Sequence, residues 1–307
     1  MNISVNSTSG FYLQSFNEMS ELRAQLERLQ TQVATGERLE RSSQDPVAAS
    51  RLRDIARSQR LEEINSENAD RLELDLNIAS DEITGITDLL IRARELTIGA
   101  GNDTLGQDSL DAIATELEQL GEELFTRANG VSLAGESLFS GDAGGAAYIR
   151  DNAGVVSYAG SAEAAFLDVA EGVAIQRGIT GPEFLSFDVD GTGVTSDAFA
   201  LISGLAAVLQ GGAADPSAAA RDAISGFDSA LDSANRGQTI LGARLAWLDS
   251  VQQNQLERST SRAEEEAEIG GADLTETITE LQQTLTVLEA SQTSFARVSS
   301  LSLFNVI

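Results

Sequence analysis

Cysteine, histidine and lysine are missing from this chain of 307 residues, and every one of its 20 basic residues is Arg. Those absences exclude disulfide frameworks, thiolate nucleophiles, zinc sites built from Cys and His, His-based triads and Schiff-base lysines. Carboxylates, hydroxyls and Arg remain, and no acid and base of contrasting surroundings can be picked out among them. The sequence therefore predicts a protein that is not an enzyme, with no catalytic residue, no cofactor and no metal. Asp188, Asp190 and Gly193 have the outline of a calcium loop, but Phe199 stands where such a loop needs a bidentate Glu, so a plain turn is expected. Gly141-Asp142-Ala143-Gly144-Gly145 lacks the spacing of a phosphate cradle and reads as a flexible loop. Glu264-Glu265-Glu266 reads as a solvated helix face.

Positive charge is scarce as well as uniform in kind. The formal charge is −28, and residues 101–215 hold 3 Arg against 18 acids, so the middle third carries more than half of the excess. A field of that sign repels nucleic acid and anionic membrane, and neither is expected as a partner. Arg53, Arg57 and Arg60 fall on one helical face, but interleaved acids and the acidic whole make it a solvated or subunit-contacting face. Long apolar runs are also lacking. Ala198 to Leu209 falls well short of the ~20 residues a membrane-spanning helix needs. Met1 to Gly10 has neither the basic nor the apolar region of a secretory leader. The expectation is a soluble chain that, if exported, leaves by another route.

What is abundant is helical periodicity. Apolar residues alternate at spacings of three and four, the mark of a seam buried against another helix, in four segments. These are Leu22, Leu26, Leu29, Val33; Leu72, Leu76, Ala79, Ile83, Ile86, Leu90, Ala93; Leu110, Ile113, Leu117, Leu120, Leu124; and Leu274, Ile278, Leu281, Leu285, Leu288, with Phe295 a heptad later. A further helix, about 217–269, has the less tidy stripe Ile224, Phe227, Leu231, Leu241, Leu245, Leu248. Asp45-Pro46 and Asp215-Pro216 read as helix starts, Asp273 with Glu276 as a capping box, and Gly270-Gly271 as a hinge.

From about 131 to 197 glycine is dense, helical periodicity stops and short alternating runs appear, with Asp151-Asn152-Ala153-Gly154 as a hairpin loop and Ser196-Asp197 capping a short helix. The fold class expected is mainly α with an inserted β-rich domain, the N- and C-terminal helices forming a coiled-coil or bundle core. Helices at the two chain ends can satisfy their Leu and Ile stripes only on each other or on neighbouring chains. Paired, a five-residue seam contributes on the order of 5–10 kcal/mol at ~25 cal/mol per Å². An ordinary intramolecular bundle is the bland alternative to intermolecular packing.

Several motifs resemble the flagellin superfamily over both termini and most of the helical body. They are Ala34-Thr35-Gly36-Glu37-Arg38-Leu39 with Ser42-Ser43-Gln44-Asp45-Pro46-Val47-Ala48-Ala49, then Asn129-Gly130 with Leu138-Phe139-Ser140-Gly141, then Ile240-Leu241-Gly242-Ala243-Arg244-Leu245 with Leu248-Asp249, and the ending Leu301-Ser302-Leu303-Phe304-Asn305-Val306-Ile307. Asp-Pro-Val-Ala-Ala and the ending look like the hook–filament junction branch of that superfamily more than like filament flagellins; Gln44 departs from the common Asp. The resemblance implies a terminal helical domain (1–45 and 270–307), a helical rod (46–130 and 216–269) and an outer β-rich domain (131–215). It also implies a structural adaptor, secreted through the flagellar type III export apparatus with an export chaperone. Its partners would be hook-associated protein 1, flagellin and other copies of itself.

The expected assembly interface is Leu22, Leu26, Leu29, Val33, Leu274, Ile278, Leu281, Leu285, Leu288, Phe295, Leu301, Leu303 and Phe304. Two other functions stay open on sequence: a filament flagellin, and a coiled-coil adhesive or signalling module.

Overall fold

The computed structural model describes residues 3–39, 41–188, 195–212 and 214–304; of residues 3–9, 11, 212 and 299–304 it describes the backbone alone. Among the described residues, seven α-helices and six short strands follow the order α1 (Ile3–Thr35), α2 (Pro46–Ala100), α3 (Gln107–Ala128), β1 (Tyr148–Arg150), β2 (Val156–Tyr158), β3 (Phe166–Ala170), β4 (Val173–Gln176), α4 (Gly181–Leu185), β5 (Ser186–Asp188), β6 (Thr195–Asp197), α5 (Ala198–Ala207), α6 (Pro216–Gly270) and α7 (Leu274–Phe304). The chain is thus mainly helical with a strand-containing excursion, as the periodicity indicates. Val189 to Val194, most of the sequence that resembles a calcium loop, lies outside the described residues.

Carboxylates start the helices at the expected places. Asp45 Oδ1 accepts the Ala48 N–H at 3.0 Å, Asp215 Oδ1 that of Ala218 at 2.9 Å, and Asp197 Oδ1 that of Ala200 at 2.8 Å. Each satisfies an amide that has no partner inside the first turn. Asp273 Oδ1 does the same for Thr275 and Glu276.

Two compact units divide the chain: Met1–Arg60 with Glu257–Ile307, and Leu61–Leu256. In the second, the α2 stripe from Leu72 to Ala93 is fully buried, as are Leu110, Leu117 and Leu124 of α3. These meet Phe227, Leu241 and Leu248 of α6 in a continuous core. Ile224, Leu231 and Leu245, which periodicity places in the same stripe, are only partly buried. The buried face of α6 carries Gly226, Ala230, Ser233, Ala234 and Gly237 instead. Small residues let other backbone come close: Ser233 Oγ donates to the Ser186 carbonyl at 2.7 Å, and a Cβ on Gly237 would stand 2.5 Å from Phe184 Cβ. An apolar-spacing search is blind to such a stripe.

The strands form three separate antiparallel hairpins, β1–β2, β3–β4 and β5–β6, with no sheet common to them. Tyr148 pairs with Tyr158 and Arg150 with Val156. The loop between them closes as the sequence indicates, with Asp151 Oδ1 accepting the amides of Ala153 and Val155 at 2.9 and 2.8 Å. Isolated two-stranded ribbons are marginal in water. These are held from outside, because Tyr148, Val169, Ile175 and Phe187 enter the same core as the helices. Asn129 acts as a substitute strand for β1, donating to the Tyr148 carbonyl (3.1 Å) and accepting its N–H (2.9 Å). The Arg244 guanidinium, its charge opposed by burial, donates to the Gly178 carbonyl and to Gln176 Oε1. Burial also pushes the Tyr158 hydroxyl up to about 12, with its proton shared between the Phe139 and Ser161 carbonyls.

The close approach at Gly237 yields a direct test. Gly237→Ala should lower unfolding stability by about 1–3 kcal/mol, the usual range for forced overpacking, even though Ala favours helix more than Gly does. Chemical denaturation of the variant measures it; an unchanged or raised midpoint would contradict this packing.

Candidate assembly interface

Residues 1–60 and 257–307 contain the terminal helices. Helices α1 and α7 pack antiparallel along their length: Tyr12 and Phe295 meet edge to face at 5.4 Å between ring centres, and Gln25 donates to Glu280 Oε1 at 3.0 Å. On α1 the covered positions include Tyr12, Ser15, Met19, Leu22, Gln25, Leu26, Leu29, Gln32 and Val33, so the spacing-based residues Leu22, Leu26, Leu29 and Val33 all lie on the packed face. Leu13 and Phe16 point elsewhere, 67% and 62% exposed.

On α7 the outcome is different. The covered positions are Thr277, Leu281, Thr284, Leu288, Ser291 and Phe295. They form a regular seam in which every second position is a hydroxyl. Leu274, Ile278 and Leu285 stand to one side of it, 47%, 41% and 38% exposed. The sequence reads Leu274, Ile278, Leu281, Leu285 and Leu288 as one seam; the structure divides them, with Leu281 and Leu288 covered and the other three left on the surface. At 100° per residue, Leu274, Ile278 and Leu285 sit roughly 60–100° around the axis from the covered line. Helix α7 therefore bears two overlapping seams, and the one engaged is the poorer in hydrocarbon. Thr277 satisfies its hydroxyl on the Asp273 carbonyl at 2.7 Å, which lets it be buried at little cost. Hydroxyl positions in the seam are what sequence reasoning missed; only their heptad spacing from Leu281 and Leu288 could have flagged them. Helix α7 runs through Leu301, Leu303 and Phe304, whose side chains lie outside the described residues, as do Asn305, Val306 and Ile307.

Two turns hold the ends of these helices together. Gly36, at φ +73°, ends α1 in the left-handed region that glycine enters without strain. The strand-like exchange that follows pairs it with the turn between α6 and α7: Arg38 N–H donates to the Gly270 carbonyl (2.7 Å) and Ala272 N–H to the Gly36 carbonyl (2.8 Å). Arg38 adds guanidinium bonds to the Ile269 carbonyl at 2.9 and 3.2 Å. Gly270-Gly271, which reads as a hinge in the sequence, is thus a pinned turn; a Cβ at Gly271 would lie 2.3 Å from the Ala267 carbonyl oxygen. Close backbone packing, not freedom, is the reason for glycine there.

An ion pair and an amide hydrogen bond brace α2 against α6 in the same unit. Arg51 grips both oxygens of Glu265 at 2.6 and 2.9 Å, and Gln59 donates to Glu266 at 2.8 Å. The Arg51 bonds hold the Glu265 carboxyl below its ordinary 4.5, and the Ala48 amide holds Asp45 below 3.8. Among the described residues no helix is long and apolar enough to cross a membrane.

Residues 7–143 match the family model of the bacterial flagellin N-terminal helical region. The chain is 25% identical to flagellar hook-associated protein 3 of Escherichia coli and 23% identical to that of Salmonella typhimurium, each over 98% of both chains. Its fold is similar to that of the flagellar junction protein FlgL from Legionella pneumophila, with a TM-score of 0.59, 16% identity, and coverage of 71% of this chain and 99% of that one. The chain thus resembles the flagellin superfamily in its N-terminal helical region. Over nearly its whole length it is similar to proteins named flagellar hook-associated protein 3.

The depressed carboxyls fix a sign for acid sensitivity. A carboxyl held below its unfolded value stabilises the fold above that value and ceases to as pH falls through the folded one. The contribution of the Arg51–Glu265 pair should therefore be lost progressively below about pH 4.5, and Glu265→Gln should remove that part of the acid dependence. Circular dichroism melts across the acid range check both; an unaltered acid limb in the variant would contradict the assignment.

Proposed function

We propose that this chain is a structural, non-catalytic adaptor of the bacterial flagellum, secreted and assembling at the hook–filament junction through α1 and α7. The observation that carries the proposal is the apolar side chains left exposed on the terminal helix pair: Leu274, Ile278 and Leu285 along one side of α7, and Leu13 and Phe16 on α1. Two helices packed on each other bury one stripe each, and a second exposed stripe on such a pair marks an association surface. Names of the relatives agree, since two are hook-associated proteins and one a junction protein.

On this reading Leu281, Leu288 and Phe295, with Leu22, Leu26, Leu29 and Val33, build the helix pair. Leu274, Ile278 and Leu285 complete it against a neighbour, and Leu301, Leu303 and Phe304 extend the contact. Partners would be hook-associated protein 1, flagellin and further copies of the chain, after passage through the type III export apparatus with a chaperone. The three-part division into terminal helices (1–45, 270–307), rod (46–130, 216–269) and outer part (131–215) belongs to the same proposal. Support for it is the pinned junction of the Gly36 and Gly271 turns, where the terminal helices begin.

Ile278→Ser with Leu285→Ser tests the reading. Each change withdraws about 1.5–3 kcal/mol of burial on association, tenfold or more in affinity, while leaving the α1–α7 seam intact. Cells carrying only this variant should form hooks without filaments and shed flagellin, and the purified variant should melt as the parent does. Normal filaments would overturn the proposal. A chain found as the bulk of sheared filaments would instead be a filament subunit.

A further inference from the structure

The arginines of α2 are unequally used. Arg51 on one side of the helix is spent on Glu265 within its own chain. Arg53, Arg57 and Arg60, at spacings of four and three, share another face and are all exposed. Arg53 turns its Nε back to the Ala49 carbonyl at 3.1 Å, and neither Arg57 nor Arg60 forms an ion pair among the described residues. The three span about 10 Å along the helix at 1.5 Å per residue. From Ser50 to Ile64 the acids are Asp54, three residues before Arg57, Glu63, three after Arg60, and Glu62 on the opposite side; the first two flank the stripe, and neither forms an ion pair with it among the described residues. Like charges at these spacings repel within an isolated helix.

The counter-charge is present in excess elsewhere. Residues 61–256 contain 9 Arg and 32 acids. Helix α3 concentrates part of it on a single exposed face, Asp108, Asp111, Glu118 and Glu122, opposite the side that buries Leu110, Ala114, Leu117 and Leu124. Among the described residues only Glu122 of the four meets a cation, Arg150. Asp111 and Glu118 accept hydrogen bonds from the neutral amides of Gln107 and Gln210, which leave their charge in place.

We propose that the Arg53, Arg57 and Arg60 stripe of α2 receives the acidic face of α3 from a second copy of this chain. The proposal rests on the assembly reading above and adds to it the surface that sets the register between neighbours. Arg suits the role, since its planar fork bonds carboxylates in pairs and loses little solvation doing so. Charges of this kind govern orientation and encounter more than total affinity, and salt weakens them. The aliphatic face of α7 would supply the adhesion and this stripe the angle.

Arg57→Glu with Arg60→Glu should raise the protein concentration needed for self-association at least tenfold at low salt and remove most of its salt dependence. Adding Asp111→Arg and Glu118→Arg to the same chain should restore both. Because the chain has no cysteine, Arg57→Cys protein mixed with Glu118→Cys protein should form a disulfide-linked heterodimer under associating conditions. Variants that associate as the parent does at every salt concentration, no rescue by the reversed pair, or no heterodimer would each overturn the inference while leaving the terminal-helix reading intact. A parent chain that never self-associates would overturn both. Retention of the parent, but not of the Glu variant, on phosphatidylserine vesicles or duplex DNA would also overturn it, by assigning the stripe to a different anion.

Discussion

Helix α7 carries more hydrocarbon than one partner helix can cover, and that excess shapes the terminal unit. A straight α-helix buries a stripe of limited width against a single neighbour. The stripe chosen here alternates Leu281, Leu288 and Phe295 with Thr277, Thr284 and Ser291, so half of its positions bring a hydroxyl and little apolar area. Had the two helices met on Leu274, Ile278, Leu281, Leu285 and Leu288 instead, the pair would be drier and nothing would remain to bind. Pairing on the poorer line keeps the monomer's helices in register and leaves the richer line available. On the proposed reading folding and association draw on different atoms of the same helix, with Leu281 and Leu288, between the two lines, coupling them.

That division needs α7 to be fixed in rotation about its own axis. The Gly36 and Gly271 turns do this. Each main-chain bond between them is ordinary in strength, but together with Arg38 on the Ile269 carbonyl they fix the first turn of α7 relative to the end of α1. A helix held at one end and packed along its length cannot present a different face without breaking those bonds. Flexible linkage at 270–271 would allow both seams to compete for α1; the observed pairing removes the competition.

Much of this was legible beforehand, and the failures share a cause. Periodicity picks out Leu72 to Ala93 of α2 because most of those inward positions are large and aliphatic, though Ala69, Leu89, Thr97 and Ala100 are buried beside them. It makes Leu22, Leu26, Leu29 and Val33 legible for the same reason. It missed the engaged line of α7, since Thr and Ser do not register as apolar, and the small-residue face of α6, since Gly226 and Gly237 register as nothing at all. Turn chemistry read Asp151 to Gly154 correctly because the carboxylate acts on amides two and four residues away. It misread Gly270-Gly271, where what matters is a segment more than 230 residues distant in the chain. Local chemistry is written in local sequence. Close approach between remote segments is written only as an absence of side chain, and absence has several meanings.

The hairpins extend the same argument to the middle of the chain. None of the three could persist alone, yet none joins another, so their order comes from the helices they lie against. Asn129 at the end of α3 completes β1, Ser233 of α6 receives β5, and Arg244 of α6 holds the carbonyl beyond β4. Each of these side chains stands in for a strand that is not there. The sequence between them is consequently under weak constraint wherever it faces water, because the fold asks of it only a few apolar anchors and three turns. An acidic surface can be carried on such a segment at no cost to the terminal helices, because its few anchors are spent on the core of its own unit.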